Sequence, residues 1–386
     1  LNVTNCIVTY SAEHGGDSSP MVSKNTTFKN CIFTGIIQHN NPTNYYIPET
    51  STVNNCISCF YAFKAETGSE AAVYYRDIFS NIANPNSTNV YYCIEKLENP
   101  FVLFPEARYS LDGCTSYIPE STGKLIRLLR VPVVILRIHG NFITQPQWNK
   151  IDKGNHVVAE MEQIITAKEC RKLSVDEINA RVKEAFQYDD FKWQYDNQIK
   201  IDHPKRAEGL HALLYKCPAC QTEGEMDSKG IKLWCNHCGK QWEMGEYGRM
   251  HALDGETEFP HIPDWSNWER ECVRKEIEDG TYYFEDTVRV ETLPGSLKFY
   301  HQGEGKLIQT PTETRVECNY HGEPYVLTRT AMDLESMHIE YDYLGRGDCV
   351  DISIPNDSFW CYLTKRDAIT KISFATEEIH KKAVGK

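Results

Sequence analysis

The sequence predicts a multidomain mixed fold: a β-solenoid-like N-terminal segment, a partial α/β core, a zinc ribbon, and a C-terminal antiparallel β-domain closed by a helix. Three observations predict it. Asn5-Cys6-Ile7, Asn30-Cys31-Ile32 and Asn55-Cys56-Ile57 recur at a step of 25 residues, the mark of stacked repeats. Two C-x2-C pairs, Cys217/Cys220 and Cys235/Cys238, stand 14 residues apart. From about residue 285 to 363, apolar and polar residues alternate with the period of strands.

At 386 residues the chain has length for two to four domains with real cores. A net charge of −13 argues against a nucleic-acid partner and against a broadly basic membrane-docking face. The longest apolar run, Val131–Leu136, is six residues, far below the roughly 18–20 that span a bilayer, so no transmembrane segment is expected. No secretory apolar stretch opens the sequence. Apart from the paired knuckles, the 15 cysteines are scattered, without the pattern of a disulfide scaffold, which favours a reducing compartment.

Residues 1–95 differ in kind from the rest, with the boundary between 70 and 98. Their only basic residues are Lys24, Lys29, Lys64 and Arg76, and Asn, Thr and Ser abound. Short β-prone runs (Ile7–Tyr10, Ile32–Ile36) between polar turns fit the rungs of a parallel β-helix, and Ile82 falls on the next multiple of the step. The competing explanation is chance recurrence in an Asn-rich segment; three matches in strict register favour the repeat. The sequons at Asn2, Asn25 and Asn86 are expected by chance in such a composition.

In residues 96–150, Phe101–Phe104 reads as a short buried strand stopped by Pro105. A turn then presents Glu106, Arg108 and Ser110 at alternate positions. That set suits a phosphate: Arg108 forks onto its oxygens, Glu106 aims the fork, and Ser110 adds a donor. The plainer alternative is a strand end with a surface ion pair. Pro119-Glu120-Ser121-Thr122-Gly123-Lys124-Leu125 opens a helix to about residue 130, and Val131–Leu136 reads as a second buried strand. His139-Gly140-Asn141 reads as a turn.

The stretch Phe104–Ser110, followed at this distance by Val131-Pro132-Val133-Val134, resembles the phospholipid/glycerol acyltransferase family, specifically its 1-acylglycerol-3-phosphate acyltransferases. The resemblance implies an α/β acyltransferase core in which Glu106, Arg108 and Ser110 hold the substrate phosphate. It implies transfer of an acyl group from an acyl-CoA or acyl-carrier-protein thioester to the free hydroxyl of a lysophospholipid. It also implies peripheral association with the cytoplasmic face of a membrane. Arg76-Asp77-Ile78 through Glu95 could already belong to that core. Position 107 is alanine where many members carry glycine. The family's base sits in a His-x4-Asp box, where histidine deprotonates the acceptor hydroxyl and aspartate orients it. His14 is followed by Asp17, two residues too close, and His39 has no aspartate at the required spacing. No catalytic residue is therefore assigned, and the chain reads as a fragment or a fusion.

Residues 151–210 read as a helical linker region. Ser174-Val175-Asp176-Glu177 is a capping box, followed by Ile178, Val182 and Phe186 on one face. Tyr188, Phe191, Trp193 and Tyr195 read as a packing seam. In residues 211–250, Cys217, Cys220, Cys235 and Cys238 offer four sulfurs to one Zn2+, which leaves no open position for water and makes the ion structural. Acidic neighbours (Glu223, Glu225, Asp227, Glu243, Glu246) favour a staple or protein-contact role over nucleic acid.

Residues 251–284 form a helical connector, capped by Asp264 and carrying Trp265, Trp268, Val273 and Ile277 up to Gly280. In residues 285–386 six strands are expected: Val288–Val290, Leu297–Tyr300, Arg315–Cys318, Tyr325–Thr328, His338–Tyr343 and Phe359–Leu363. A helix at about 368–382 closes the domain, an arrangement similar to a pleckstrin-homology-like barrel. The order of core, ribbon and β-domain over roughly 95–386 resembles extended bacterial acyltransferases. The reading from a different class is a non-catalytic module whose ribbon or β-domain binds a protein partner, or a surface β-helix protein.

Overall fold

The computed structural model describes residues 102–106, 109–155, 157–294, 298–354 and 357–385 in full and, of the first hundred residues, the backbone of eight short strands. These are β1 (Asn2–Thr4), β2 (Ile7–Ala12), β3 (Ser19–Pro20), β4 (Thr27–Lys29), β5 (Ile32–Ile37), β6 (Tyr45–Tyr46), β7 (Thr52–Asn54) and β8 (Ile57–Ser58). They pair in parallel, in the orders β1-β4-β7, β2-β5-β8 and β3-β6. Asn2 lies opposite Thr27 and Thr27 opposite Thr52; Ile7 lies opposite Ile32 and Ile32 opposite Ile57. The step of the repeat is thus the register of two of these sheets. Ile82 and the expected boundary between 70 and 98 lie outside the described residues.

The helices that follow are α1 (Ser121–Leu129), α2 (Asn141–Thr144), α3 (Ala167–Cys170), α4 (Val175–Ala185), α5 (Asp190–Asp196), α6 (Leu210–Leu213), α7 (Ile262–Glu278) and α8 (Ile369–Ala383). The chain divides into two compact units, one of residues 1–105, 119–133 and 165–182, the other of 106–118, 134–164 and 183–386.

In the first unit, α1 ends where Arg130 turns left-handed (φ 56°) and returns its N–H to the Ile126 carbonyl. Asn179 of α4 joins the two helices: its Oδ1 accepts from Gly123 N at 2.8 Å and its Nδ2 donates to Glu120 O at 3.0 Å. Among the described residues Ile126, Leu129, Ile165, Cys170, Ile178 and Val182 are buried. The capping box forms as the sequence predicts. Ser174 N donates to the Glu177 carboxylate at 2.8 Å, and Ser174 Oγ accepts from Glu177 N at 3.2 Å.

The strands β9 (Val133–His139) and β10 (Val158–Ile165), all but their terminal residues Val133 and Ile165 in the second unit, form a two-stranded sheet. Two expectations fall here. The Val131–Leu136 strand begins at Val133, and its Val134, Leu136 and Ile138 are exposed, because only one face is packed and β10 is the one strand paired to it among the described residues. The region expected to be helical opens with β10, whose Glu160, Met161 and Glu162 are exposed. Phe101–Phe104 is not a buried strand either: the described residues 102–104 have no strand partner, and Phe104 is 73% exposed. The aromatic seam packs through Tyr188 and Trp193 against His139 and through Phe191 against Phe142, but Tyr195 stands outside it under the Arg249 guanidinium.

A four-stranded antiparallel ribbon follows in chain order: β11 (Met226–Lys229), β12 (Lys232–Cys235), β13 (Gln241–Met244) and β14 (Met250–Ala252). Helix α7 starts at Ile262, with Pro263 in its first turn and Asp264 inside rather than at the cap. Then comes a seven-stranded antiparallel sheet of β15 (Phe284–Thr292), β16 (Tyr300–Gln309), β17 (Glu313–Tyr320), β18 (Glu323–Thr330), β19 (His338–Glu340), β20 (Cys349–Ile354) and β21 (Asp357–Tyr362). Its order is β18-β17-β16-β15-β21-β20-β19, two meanders joined where β21 pairs with β15. β20 is the strand the sequence reading omitted. β16 runs from Tyr300 through Gly303 and Gly305, and the His338–Tyr343 strand ends early, where Asp342 turns left-handed (φ 40°). Buried Asp286 fastens the sheet to the start of α8: its carboxylate accepts from Thr364 N at 2.8 Å and Lys365 N at 3.0 Å.

One apolar core runs through this unit. Trp242 of the ribbon meets Trp265 of α7 edge to face at 5.0 Å, and the same cluster continues through Val290, Phe359, Ile372 and Phe374. Ribbon, connector and β-sheet therefore share a single interior.

Candidate metal centre

Two tight turns bring the four cysteines together. In the first, Gln221 N donates to Cys217 O at 2.9 Å, and the N–H groups of Cys220 and Ala219 point at the Cys217 sulfur. In the second, Gly239 N donates to Cys235 O at 2.9 Å, and the N–H groups of Cys238 and His237 point at the Cys235 sulfur. The sulfurs of Cys217 and Cys238 lie 3.7 Å apart, as do those of Cys220 and Cys235, and all four fall within 4.8 Å of one another.

These distances can be tested against an ion. A tetrahedron with metal–sulfur bonds of about 2.3 Å, the zinc value, has edges of about 3.8 Å. The two measured edges match, so the donor set fits one tetrahedral metal ion with every position taken by protein. Burial pushes the Cys217 and Cys235 thiols up, the state a bound cation reverses by stabilising thiolate. At Cys220 burial acts the same way, but hydrogen bonds from Thr222, His237 and Cys217 outweigh it and bring the thiol down to about 6. His237 is exposed, and His237 is not one of the converging ligands. Trp242 is fully buried, while Trp234 is half-buried and donates from its indole to Asn236 at 3.0 Å.

The knuckle is braced from outside. Trp265 Nε1 donates to Lys216 O at 3.0 Å, and Lys216 N donates to Glu269 Oε1 at 2.8 Å, so α7 grips the residue before Cys217 on both sides of its peptide group. Glu269 is completely buried, and burial pushes its carboxyl well above the usual range. The sequence offered no sign of it, since its spacing from Trp265 and Val273 puts a carboxylate in an apolar stripe.

The phosphate-turn candidates are placed unequally. Arg108 lies outside the described residues. The Glu106 carboxylate accepts from Ser116 N at 2.5 Å. Ser110 Oγ accepts from Gly113 N at 2.9 Å and donates to Cys114 O at 2.7 Å, closing a local turn with its hydroxyl committed. His14 and His39 lie outside the described residues, and His139 is buried with its ring stacked on Trp193 at 5.5 Å and Glu160 3.2 Å from its Nε2. Among the described residues no helix is long and apolar enough to cross a membrane. No protein-family model matches the chain, and no curated protein matches it.

Proposed function

We propose that Cys217, Cys220, Cys235 and Cys238 hold one structural Zn2+ ion in a β-rich body, and that this body is attached to a glycerophospholipid acyltransferase-type segment. The observation that carries the proposal is the pair of 3.7 Å sulfur–sulfur edges, the separation a tetrahedral zinc site requires. In this reading zinc closes the ribbon and has no part in the reaction. Arg108 takes the phosphate of a lysophospholipid, joined by Glu106 and Ser110 once they exchange their bonds to Ser116 N and Cys114 O for the substrate, with acyl-CoA or an acyl-carrier thioester as donor and the cytoplasmic face of a membrane as the workplace. The order of turn, α1 and β9 supports that half. A reaction needs a base outside the family's box.

The experiment uses the full chain. Elemental analysis should find one zinc per chain, lost together with ribbon stability in Cys217→Ser/Cys235→Ser. A metal-free wild type purified without chelator, or a double variant that keeps its zinc, overturns the metal assignment. Acyl transfer to 1-acylglycerol-3-phosphate that disappears in Arg108→Ala supports the enzyme. No turnover, with lysophospholipid binding unchanged in Arg108→Ala, removes it.

The second reading is favoured by the strand order of the large sheet. Two antiparallel meanders joined at β15 and β21, with α8 after the last strand, support a pleckstrin-homology-like reading of this sheet. Such a module would recruit a protein partner through the ribbon or the sheet without chemistry of its own.

A further inference from the structure

A cavity of about 360 Å³ opens between the loop 109–117, α7, β19 and α8, with Asp112, Asn267, Arg270, Glu335, His338 and Ser373 on its wall. That volume is within the range of small-molecule sites. Its cations are already matched. Arg270 lies 2.6 Å from Glu377 and 3.5 Å from Glu378, Lys381 lies 2.7 Å from Glu378, and His338 sits between Glu340 at 3.5 Å and Asp351 at 3.7 Å. Two carboxylates are not matched. Among the described residues neither Asp112 nor Glu335 has a cation at ion-pair distance. Asp112 Oδ1 accepts from Cys114 N at 3.0 Å and lies 3.5 Å from the Ser110 hydroxyl. Burial pushes this carboxyl up, offset in part by the field of Arg270, as befits an acid short of counter-charge.

A second, independent feature points to a ligand. Ser373 is 4% exposed, lines the cavity from α8, and its hydroxyl has no partner among the described residues. The wall therefore offers an unneutralised carboxylate, a spare hydroxyl and the Asn267 amide, while every positive charge is spoken for.

We propose that this cavity binds a small amine, a primary ammonium on a short hydroxylated chain, with the ammonium on Asp112 and the hydroxyl end on Ser373 and Asn267. Exposed Glu335 draws the cation in from solvent. The cavity shares Ser110 with the turn assigned to the substrate phosphate, so the ethanolamine and phosphate arms of the test tell the two readings apart.

Isothermal titration of the full chain with ethanolamine tests it, with ethylene glycol as the neutral counterpart and inorganic phosphate as the anion. Ethanolamine should bind at least about tenfold more tightly than ethylene glycol, and Asp112→Asn should cost about tenfold or more, as expected for loss of a partly buried charge pair. Asparagine keeps the oxygen that accepts from Cys114, so the loop should hold; its thermal unfolding is followed alongside. If that variant misfolds, Glu335→Gln on the surface carries the test, with a several-fold loss that shrinks as salt is added. Equal binding of ethanolamine and ethylene glycol, binding of phosphate alone, no ethanolamine binding at about 10 mM, or wild-type affinity in the soundest folded variant overturns the proposal.

Discussion

Gly123→Ala should destabilise the protein far more than a helix substitution to alanine has any right to. Gly123 lies in the first turn of α1, and a Cβ built there would sit 2.4 Å from Asn179 Oδ1 and 2.6 Å from its Cγ. The amide must move, and with it go its bonds to Gly123 N and Glu120 O. Each is worth about 1 kcal/mol net, and a buried amide left without partners adds about 1–3 kcal/mol. Against this stands the helix preference for alanine, at most about 1 kcal/mol. The net loss is about 2–4 kcal/mol. Asn179→Ala alone loses the same bonds but opens the space a new Cβ needs. In that background Gly123→Ala should therefore be close to neutral, which gives a coupling of about 2 kcal/mol between the two sites. Urea unfolding followed by circular dichroism on the four proteins measures it. Equal costs of Gly123→Ala in both backgrounds, within about 0.5 kcal/mol, would refute the reasoning.

Glu269 titrates high because it is buried, so the unfolded chain ionises it first and stability is lost as pH rises from the unfolded value toward the folded one. Glu269→Gln should flatten that slope, being neutral near pH 4 and stabilising at pH 8, in denaturant titrations at fixed zinc. His338 is raised to about 9, by hydrogen bonds to Asp351 and then Glu340; its contribution is complete below its unfolded value and fades as pH rises toward 9. NMR titration should show that value falling in Asp351→Asn, and an unmoved His338 would count against the assignment. Gly209 holds φ +84°, with a built Cβ only 1.9 Å from Trp148 O. Gly209→Ala should cost about 3 kcal/mol or more, read as a drop in melting temperature.

What the sequence disclosed depended on whether a local rule carried the information. The cysteine spacing located the four-cysteine cluster to the residue, because a C-x2-C turn is closed by its own backbone. The Ser174 box was legible for the same reason. The repeat step also became register, since parallel pairing at a fixed offset is what an identical strand in each repeat dictates. Strands that owe their place to distant partners were harder. β20 carries Asp351 and Ser353 within an apolar stretch and is fixed by β19 and β21 on either side. β10 carries Glu160, Glu162 and Gln163 in its middle and is held by pairing with β9, with Arg137 reaching Glu162 at 2.5 Å. The cavity was invisible, because its wall gathers residues from 109 to 384 that no spacing links. Ser110 shows the limit of motif reading: its hydroxyl suits a phosphate by type, and the fold commits it to its own turn.

Helix α7 connects the two sites this unit offers. Trp265 and Glu269 hold the Cys217 knuckle on one side, while Asn267 and Arg270 line the cavity on the other. Both pairs ride on one 17-residue helix whose Val273 and Ile277 are locked in the shared core. A helix so packed moves as a body, so a knuckle that opens on metal loss must release α7 from Lys216 and disturb the cavity wall. Zinc removal is therefore expected to weaken ethanolamine binding. Because linkage between two bound ligands is reciprocal, saturating ethanolamine must then slow or oppose zinc extraction by the same free energy. The measurement is zinc affinity by competition with a chromophoric chelator, with and without ethanolamine, in wild type and in Asp112→Asn. An ethanolamine effect present in wild type and absent in the variant supports a path through α7. An unchanged zinc affinity in the face of proven ethanolamine binding would mean that the knuckle and the cavity are held independently, and that the body of the domain keeps α7 in place without the metal.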